Sequence, residues 1–274
     1  MKLEGKVAIV TGAGLENGFG SAIALEMAKE GANIVVVDIC AKYDKLPDYK
    51  LGTMEDLNKR VAEIKALGRN ALAVACDVRS KDSVKAMVKA AVEKFGKVNI
   101  LVNNAGFAHL DKFVEIHEEI WDLHQDVMVK GSFLCCQAVI PEMQKSGERG
   151  KIINIASVAG LAGWMFSEAY CTAKFGQVGL TRSLAHELAG QNINVNVICP
   201  GLQTQTFIGY EFAAGFARCG GASVDDVIAA LVATMPQGKM GKQEDVAKAA
   251  VFLASPDSDH ITSVALEVSG GQRW

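Results

Sequence analysis

Three residues have the types and spacing for proton chemistry: Tyr170, Lys174 four positions later, and Ser157 thirteen positions before the tyrosine. Residues i and i+4 of a helix share a face, so the ammonium stands beside the phenol. A positive neighbour favours phenolate and draws a tyrosine down from its ordinary pKa of about 10. A tyrosine tuned in this way exchanges a proton with an alcohol or carbonyl oxygen near neutral pH. Of the four tyrosines, Tyr170 alone has a lysine four residues on. An isolated pair of this kind more often marks a packed tyrosine beside a solvated lysine, so the surrounding chain decides its meaning.

That chain supplies a strand and a helix. Lys151–Ser157 is a short, isoleucine-rich apolar run that reads as a buried strand. It delivers Ser157 to the strand's carboxyl end, the edge at which open parallel sheets bind ligands. Small residues and turn signals follow at Ala159, Gly160 and Gly163. Ser167 is then expected to be the N-cap of a helix through Tyr170 and Lys174 to about Leu188.

The same alternation runs along the whole chain. Lys6–Thr11, Asn33–Val37, Ala71–Cys76, Asn99–Val102, Lys151–Ala156, Asn194–Ile198 and Ser263–Val268 are strand-like, most of them nearly unbroken apolar runs. Between them lie amphipathic segments at about Ser21–Lys29, Met54–Leu67, Ser80–Phe95, Glu118–Gln144, Glu168–Leu188 and Glu244–Ala254. This order predicts one α/β domain over residues 1–274, a Rossmann-like doubly wound parallel sheet of about seven strands with helices on both faces. Two stretches break the rhythm. Cys40–Thr53 is a long connection after the second strand, and Leu202–Met240 carries Phe207, Ile208, Tyr210, Phe212 and Phe216. Long connections at the ligand edge are usually functional, so 202–240 is expected to be a substrate lid rather than a docked flap with ordinary core aromatics.

The first strand runs into Thr11-Gly-Ala-Gly-Leu-Glu-Asn-Gly-Phe-Gly20, and a helix follows at once. Glycines let a backbone approach a pyrophosphate, and the helix N-terminus offers amide donors and the positive end of its dipole. An acid, Asp38, closes the next strand. Its carboxylate can accept from both ribose hydroxyls and would repel a 2′-phosphate. Glu16 adds to the repulsion, no arginine follows Asp38, and Lys42 is the nearby counter-signal, so NAD(H) is expected over NADP(H). Asp77-Val78 and Asn103-Asn-Ala-Gly106 close the third and fourth strands with small polar groups suited to an adenine pocket.

Bulk composition narrows the classes. Lysine plus arginine is 28 against 31 acids, a net charge of −3, with no basic surplus for nucleic acid. No run of eighteen apolar residues suggests a membrane span. The N-terminus leads straight into a strand-like run, so no signal peptide is expected. Seven cysteines without a CxxC spacing suggest free thiols in a reducing cytoplasm. His186-Glu187 begins like a zinc motif, but Gly190 stands where the second histidine would be, so no metal is expected.

Together these residues make the chain resemble the classical short-chain dehydrogenase/reductase family over nearly its whole length, to Gly270-Gly271. Asp-Ile-Cys-Ala41 and its long insert are also similar to the carveol-dehydrogenase-like branch. The resemblance implies Ser157, Tyr170 and Lys174 as catalytic residues. It implies NAD held by Gly12, Asn17, Gly18, Phe19 and Gly20, by Asp38 and Ile39, and by Asp77 and Val78. Asn104, Ala105 and Gly106, then Pro200, Gly201, Gln203 and Thr204, would complete the site together with Tyr170 and Lys174.

Three departures stand out. Five residues separate Gly12 from Gly18, where three are common. Met128 falls where the family often carries an asparagine, and a methionine cannot hold a relay water as an amide does. After Pro200-Gly201, either Thr204 or Thr206 could reach the nicotinamide carboxamide. The implied reaction is hydride transfer between NAD(H) and a secondary alcohol or ketone. Trp164, Met165, Phe166 and the aromatic 202–240 stretch suggest a bulky apolar substrate such as a steroid or terpenoid, unless they merely pack the core. Polyol, sugar and 3-oxoacyl substrates stay open, and so does a non-catalytic NAD-binding sensor or scaffold. An enoyl reductase would want a wider tyrosine–lysine spacing. A homo-oligomer, tetramer or dimer, is implied through the helices 118–144 and 168–188.

Overall fold

The computed structural model describes residues 1–46 and 48–272; Pro47, Arg273 and Trp274 lie outside the described residues. Seven strands form one sheet in the order β3-β2-β1-β4-β5-β6-β7, and every pairing is parallel. They are β1 Val7–Thr11, β2 Asn33–Asp38, β3 Ala71–Ala75, β4 Ile100–Asn103, β5 Gly150–Ile155, β6 Ile193–Pro200 and β7 Ala265–Val268. Each expected run is a strand, with ends moved by a residue or two. The runs are apolar throughout because alternate side chains bury on opposite faces. Ile9, Val35, Leu101 and Ile152 face one core, while Ala8, Val10, Ile34, Val36 and Ile100 face the other.

Helices α1 Phe19–Lys29, α2 Met54–Ala66 and α9 Gln243–Ala254 close the second core, and α3 Lys81–Phe95, α5 Gly131–Ser146 and α6 Glu168–Leu188 close the first. Chain direction across the sheet reverses between β1, which pairs with β2, and β4. That switch point leaves a crevice at the strands' carboxyl ends. Thr11, Asp38, Asn103, Ser157 and Pro200 all arrive at that edge.

Three local expectations are corrected. The stretch 118–144 is not one regular helix. It is α4 Glu118–His124, a π-helical turn Gln125–Lys130, then α5. The amphipathic period survives the extra residue of the turn, so the sequence pattern hides it. Ser167 holds the N-cap position of α6, and its carbonyl accepts the Cys171 amide at 2.7 Å, but its side chain makes no capping hydrogen bond. Its φ/ψ of −125°/28° lies outside the extended region a capping residue adopts, and its hydroxyl donates back to the Trp164 carbonyl at 2.9 Å. The stretch 202–240 is ordered into α7 Phe207–Gly220 and α8 Val224–Ala233, started by Thr206 and Ser223, whose hydroxyls accept the amides of Gly209 and Asp226, each at 3.1 Å.

Candidate active site

At the crevice the turn after β1 wraps back on itself. A Cβ at Gly20 would stand 2.2 Å from the Gly12 carbonyl oxygen, so glycine is required where α1 starts beneath the loop. Asn104 locks this turn from β4 by donating to the carbonyls of Thr11 and Gly12, each at 2.9 Å. Asp38, at the end of β2, is nearly buried and accepts the amides of Gly14 and Ile39, each at 2.9 Å. Burial raises its pKa and those two amides oppose the rise. Gly52, from the 40–53 insert, lies directly on this carboxylate: a Cβ there would be 2.6 Å from Asp38 Oδ2. The insert continues across the crevice through Tyr49. Its hydroxyl accepts the Ala108 amide at 3.2 Å, and its ring meets Phe107 at 5.8 Å and Phe207 of α7 at 5.0 Å.

The resulting cleft spans about 990 Å³, counting the part open to solvent. Gly12, Asn17, Gly18, Phe19, Asp38 and Ile39 line one part of it; Asp77, Val78, Asn104, Ala105 and Gly106 line another; Tyr170 and Lys174 stand at its floor. A second cavity of about 440 Å³ adjoins it, bounded by Ser157, Tyr170, Trp164, Pro200, Gly201, Gln203 and Phe212. Gly20 and Thr204 line neither. The Asp77 carboxylate is gripped by Arg79 through two nitrogens, at 2.9 and 2.7 Å. Thr206 is committed to starting α7, and Thr204 Oγ1 meets Met240 Sδ at 3.2 Å. The Gln203 side-chain amide is buried without a hydrogen-bond partner among the described residues.

Ser157, Tyr170 and Lys174 converge. Ser157 follows β5 and accepts the Ala159 amide at 3.1 Å, and its side chain favours the Tyr170 phenolate. Lys174 Nζ lies 5.5 Å from the Tyr170 ring centre. The expected lowering of the phenol does not occur in the protein's own field. Burial dominates and raises Tyr170, with Ser157 opposing it. Burial also pushes Lys174 down to about 7. The ammonium is directed at the Ile155 carbonyl, 2.8 Å, and the Gln177 side-chain oxygen, 3.0 Å. Lys174 is therefore held behind the phenol rather than hydrogen-bonded to it.

Several neighbours escaped the sequence reading. His124 is buried, stacks on Phe107 at 4.2 Å and meets the Tyr170 ring edge-on at 6.4 Å. Cys199 of β6 is pushed up to about 12 by burial, with the Ser157 backbone and Lys174 opposing the rise. Gln177 was visible as a polar residue three positions after Lys174 on the same helical face; Ser132, its partner from α5, carried no such signal. The apolar wall of the second cavity comes from Trp164, Leu202 and the start of α7. Phe212 packs on Tyr170 at 5.4 Å and on Trp164 at 5.3 Å, and Phe216 joins Trp164 at 5.8 Å.

A family model described as enoyl-(acyl carrier protein) reductase matches residues 12–273. The chain is 34% identical over 271 residues to the 3-oxoacyl-[acyl-carrier-protein] reductase of Thermotoga maritima, covering 99% of each protein. Among solved structures it is similar to carveol dehydrogenase from Mycobacterium avium in complex with NAD, with a TM-score of 0.90 and 31% identity over 99% of this chain and 98% of that one. It is equally similar to an NAD+-bound xylitol dehydrogenase, with a TM-score of 0.90 and 30% identity over 99% of this chain and 100% of the other.

Proposed function

The chain belongs to the short-chain dehydrogenase/reductase family, and from that premise we propose that it is an NAD(H)-dependent oxidoreductase interconverting a bulky, apolar secondary alcohol and its ketone. The observation that carries the reading is the meeting of Ser157, Tyr170 and Lys174 at the floor of a cleft whose far end holds Asp38. The cradle at Gly12 and Gly20 fits a dinucleotide pyrophosphate, and α1 points its amides there. Asp38 and the Gly52 cover leave a carboxylate, and little space, where a 2′-phosphate would sit, which favours NAD(H). Asp77, Val78 and Asn104–Gly106 form the remaining wall, Pro200 and Gly201 lie toward the nicotinamide end, and Gln203 is the unspent polar group on that loop.

When bound, the nicotinamide accepts or donates the hydride. The chain does the rest. Tyr170 takes or gives the oxygen's proton, Ser157 donates to that oxygen as charge builds, and Lys174 supplies positive field and a grip on the ribose. Trp164, Phe212 and Leu202 give the substrate cavity its apolar wall. The relative from Thermotoga maritima supports a second reading, a 3-oxoacyl thioester as substrate. An enoyl reductase is less well supported, because Tyr170 and Lys174 stand one helical turn apart.

Absorbance of NADH, followed with NAD and a panel of secondary alcohols, tests the reaction. Tyr170→Phe should lose about 10²–10⁴-fold in turnover while retaining NADH binding. Equal turnover would remove Tyr170 from the mechanism. The assembly is a homo-oligomer, dimer or tetramer, in which a second copy covers Phe133 of α5 and Phe175 of α6, 45% and 47% exposed. Light scattering that returns the mass of one chain would contradict it.

A further inference from the structure

Behind Lys174 lies a row of buried polar groups that the reaction above leaves unused. Lys174 Nζ donates to Gln177 Oε1 at 3.0 Å, Gln177 Nε2 donates to Ser132 Oγ at 3.0 Å, and Ser132 Oγ donates to the Met128 carbonyl at 2.6 Å. Chemistry fixes every direction in this row. An ammonium only donates, so the amide must turn its oxygen toward Lys174 and its NH₂ toward Ser132. A hydroxyl that receives this hydrogen sends its own proton onward, and a carbonyl ends the row. The Met128 carbonyl lies one helical turn before Ser132, within reach of its hydroxyl, and Ser132, Gln177 and Lys174 are all buried.

We propose that Gln177 is a positioning residue that keeps the Lys174 ammonium charged and aimed beside Tyr170, with Ser132 and the Met128 carbonyl locking the amide's orientation. The proposal rests on the reading of Tyr170 and Lys174 as the proton-transferring pair. Lys174 needs such help. The titratable groups facing it are Tyr170 on its own helix, His124 from α4 and Cys199 from β6. No carboxylate among the described residues contributes to its environment. Its polar partners are the neutral Ile155 carbonyl of β5 and the neutral Gln177 amide. Burial works against the charge and Cys199 works for it; an acceptor hydrogen-bonded to an ammonium also favours the charged form. The row is an anchor and not a proton wire, since a neutral amide does not relay a proton and the row stops at a carbonyl. Met128 thus contributes through its backbone, where its side chain could not.

Two measurements on the full-length protein test this. Carbon-13 NMR of lysine-labelled protein follows the Lys174 titration, assigned by its loss in Lys174→Met. Alcohol oxidation with NAD gives the pH–rate profile. In Gln177→Leu, Lys174 should titrate about one unit lower. The phenolate then loses positive support, so the acid limb of kcat moves about one unit higher, with a loss of about tenfold on that limb. Gln177→Glu restores an acceptor, and both readouts should return to or pass the wild-type values. A merely structural role predicts lowered thermal stability in both variants without these opposed movements. Ser132→Ala frees the amide to rotate and should move both readouts as Gln177→Leu does, by less. It serves if the leucine variant does not fold. Unmoved titration and unmoved acid limb in Gln177→Leu and Ser132→Ala would overturn the proposal. A Lys174 titration that moves as expected, in a protein that oxidises no alcohol with NAD, would sink the functional reading and leave the anchoring role standing.

Discussion

Both oxygens of Asp38 already accept backbone amides, from Gly14 and Ile39, and Gly52 closes over them. The residue thereby fixes the glycine loop, the end of β2 and the insert relative to one another while keeping lone pairs for a ribose. Two like charges at about 4 Å repel by about 1 kcal/mol in water and several times that at a protein surface. NADH should therefore bind at least about tenfold more tightly than NADPH, as read by fluorescence titration. Asp38→Asn removes the charge and keeps one acceptor, so the preference should narrow. NADPH bound as tightly as NADH by the wild type would refute the cofactor assignment. Asp38 was legible because it ends an apolar run at the right distance from a glycine loop. Tyr170 and Lys174 were legible for a similar reason, since helical periodicity alone puts them on one face. The Gln177–Ser132 contact joins residues 45 positions apart, and only tertiary packing brings them together.

Among the elements, the strands could be read from the sequence because burial on both faces makes them continuous apolar runs. The lid could not. Helix α7 carries three glycines, Gly209, Gly215 and Gly220, and apolar residues on most sides, so no polar face announced it. Three of its neighbours settle it: the Thr206 hydroxyl at its start, and the rings of Trp164 and Tyr170 beneath Phe212. Phe212 is 6% exposed. Phe212→Ala should cost about 3 kcal/mol, toward the lower end of core Phe→Ala losses because one face of the ring borders the cavity. The KM for an apolar ketone should rise more than kcat falls, since the wall of the second cavity is lost while Tyr170 keeps Ser157. Denaturant unfolding and steady-state kinetics read the two effects separately. Unchanged KM would show that α7 covers the site without touching substrate.

At the scale of the whole molecule, stability is coupled to pH through bases buried at the site. The carbonyl of Ile120, 2.8 Å from His124 Nδ1, requires that nitrogen to carry the proton. Nε2 is left as the acceptor facing the His109 amide at 3.4 Å. A second proton on Nε2 would point at a donor inside the core, and burial pushes His124 down to about 4. The folded value lies below the unfolded one, about 6.5, so between these limits the unfolded chain binds more protons. Stability must then rise with pH through that window, and acidification from pH 7 to 4 should remove about 3 kcal/mol through this group. Lys174 acts with the same sign higher up. Its folded value of about 7 lies below the unfolded value near 10.5, so stability should continue to rise from pH 7 toward 10. Glu148, held down to about 2 by Lys6 and Lys97, loses its contribution only below its ordinary range, as pH falls from about 4.5 toward 2. Urea unfolding without added cofactor at pH 5, 7 and 9 separates the His124 and Lys174 contributions. His124→Gln should flatten the slope between pH 5 and 7, and Lys174→Met the slope between pH 7 and 9. Slopes parallel to wild type in His124→Gln would mean that the imidazole is not the group being stripped of its proton on folding.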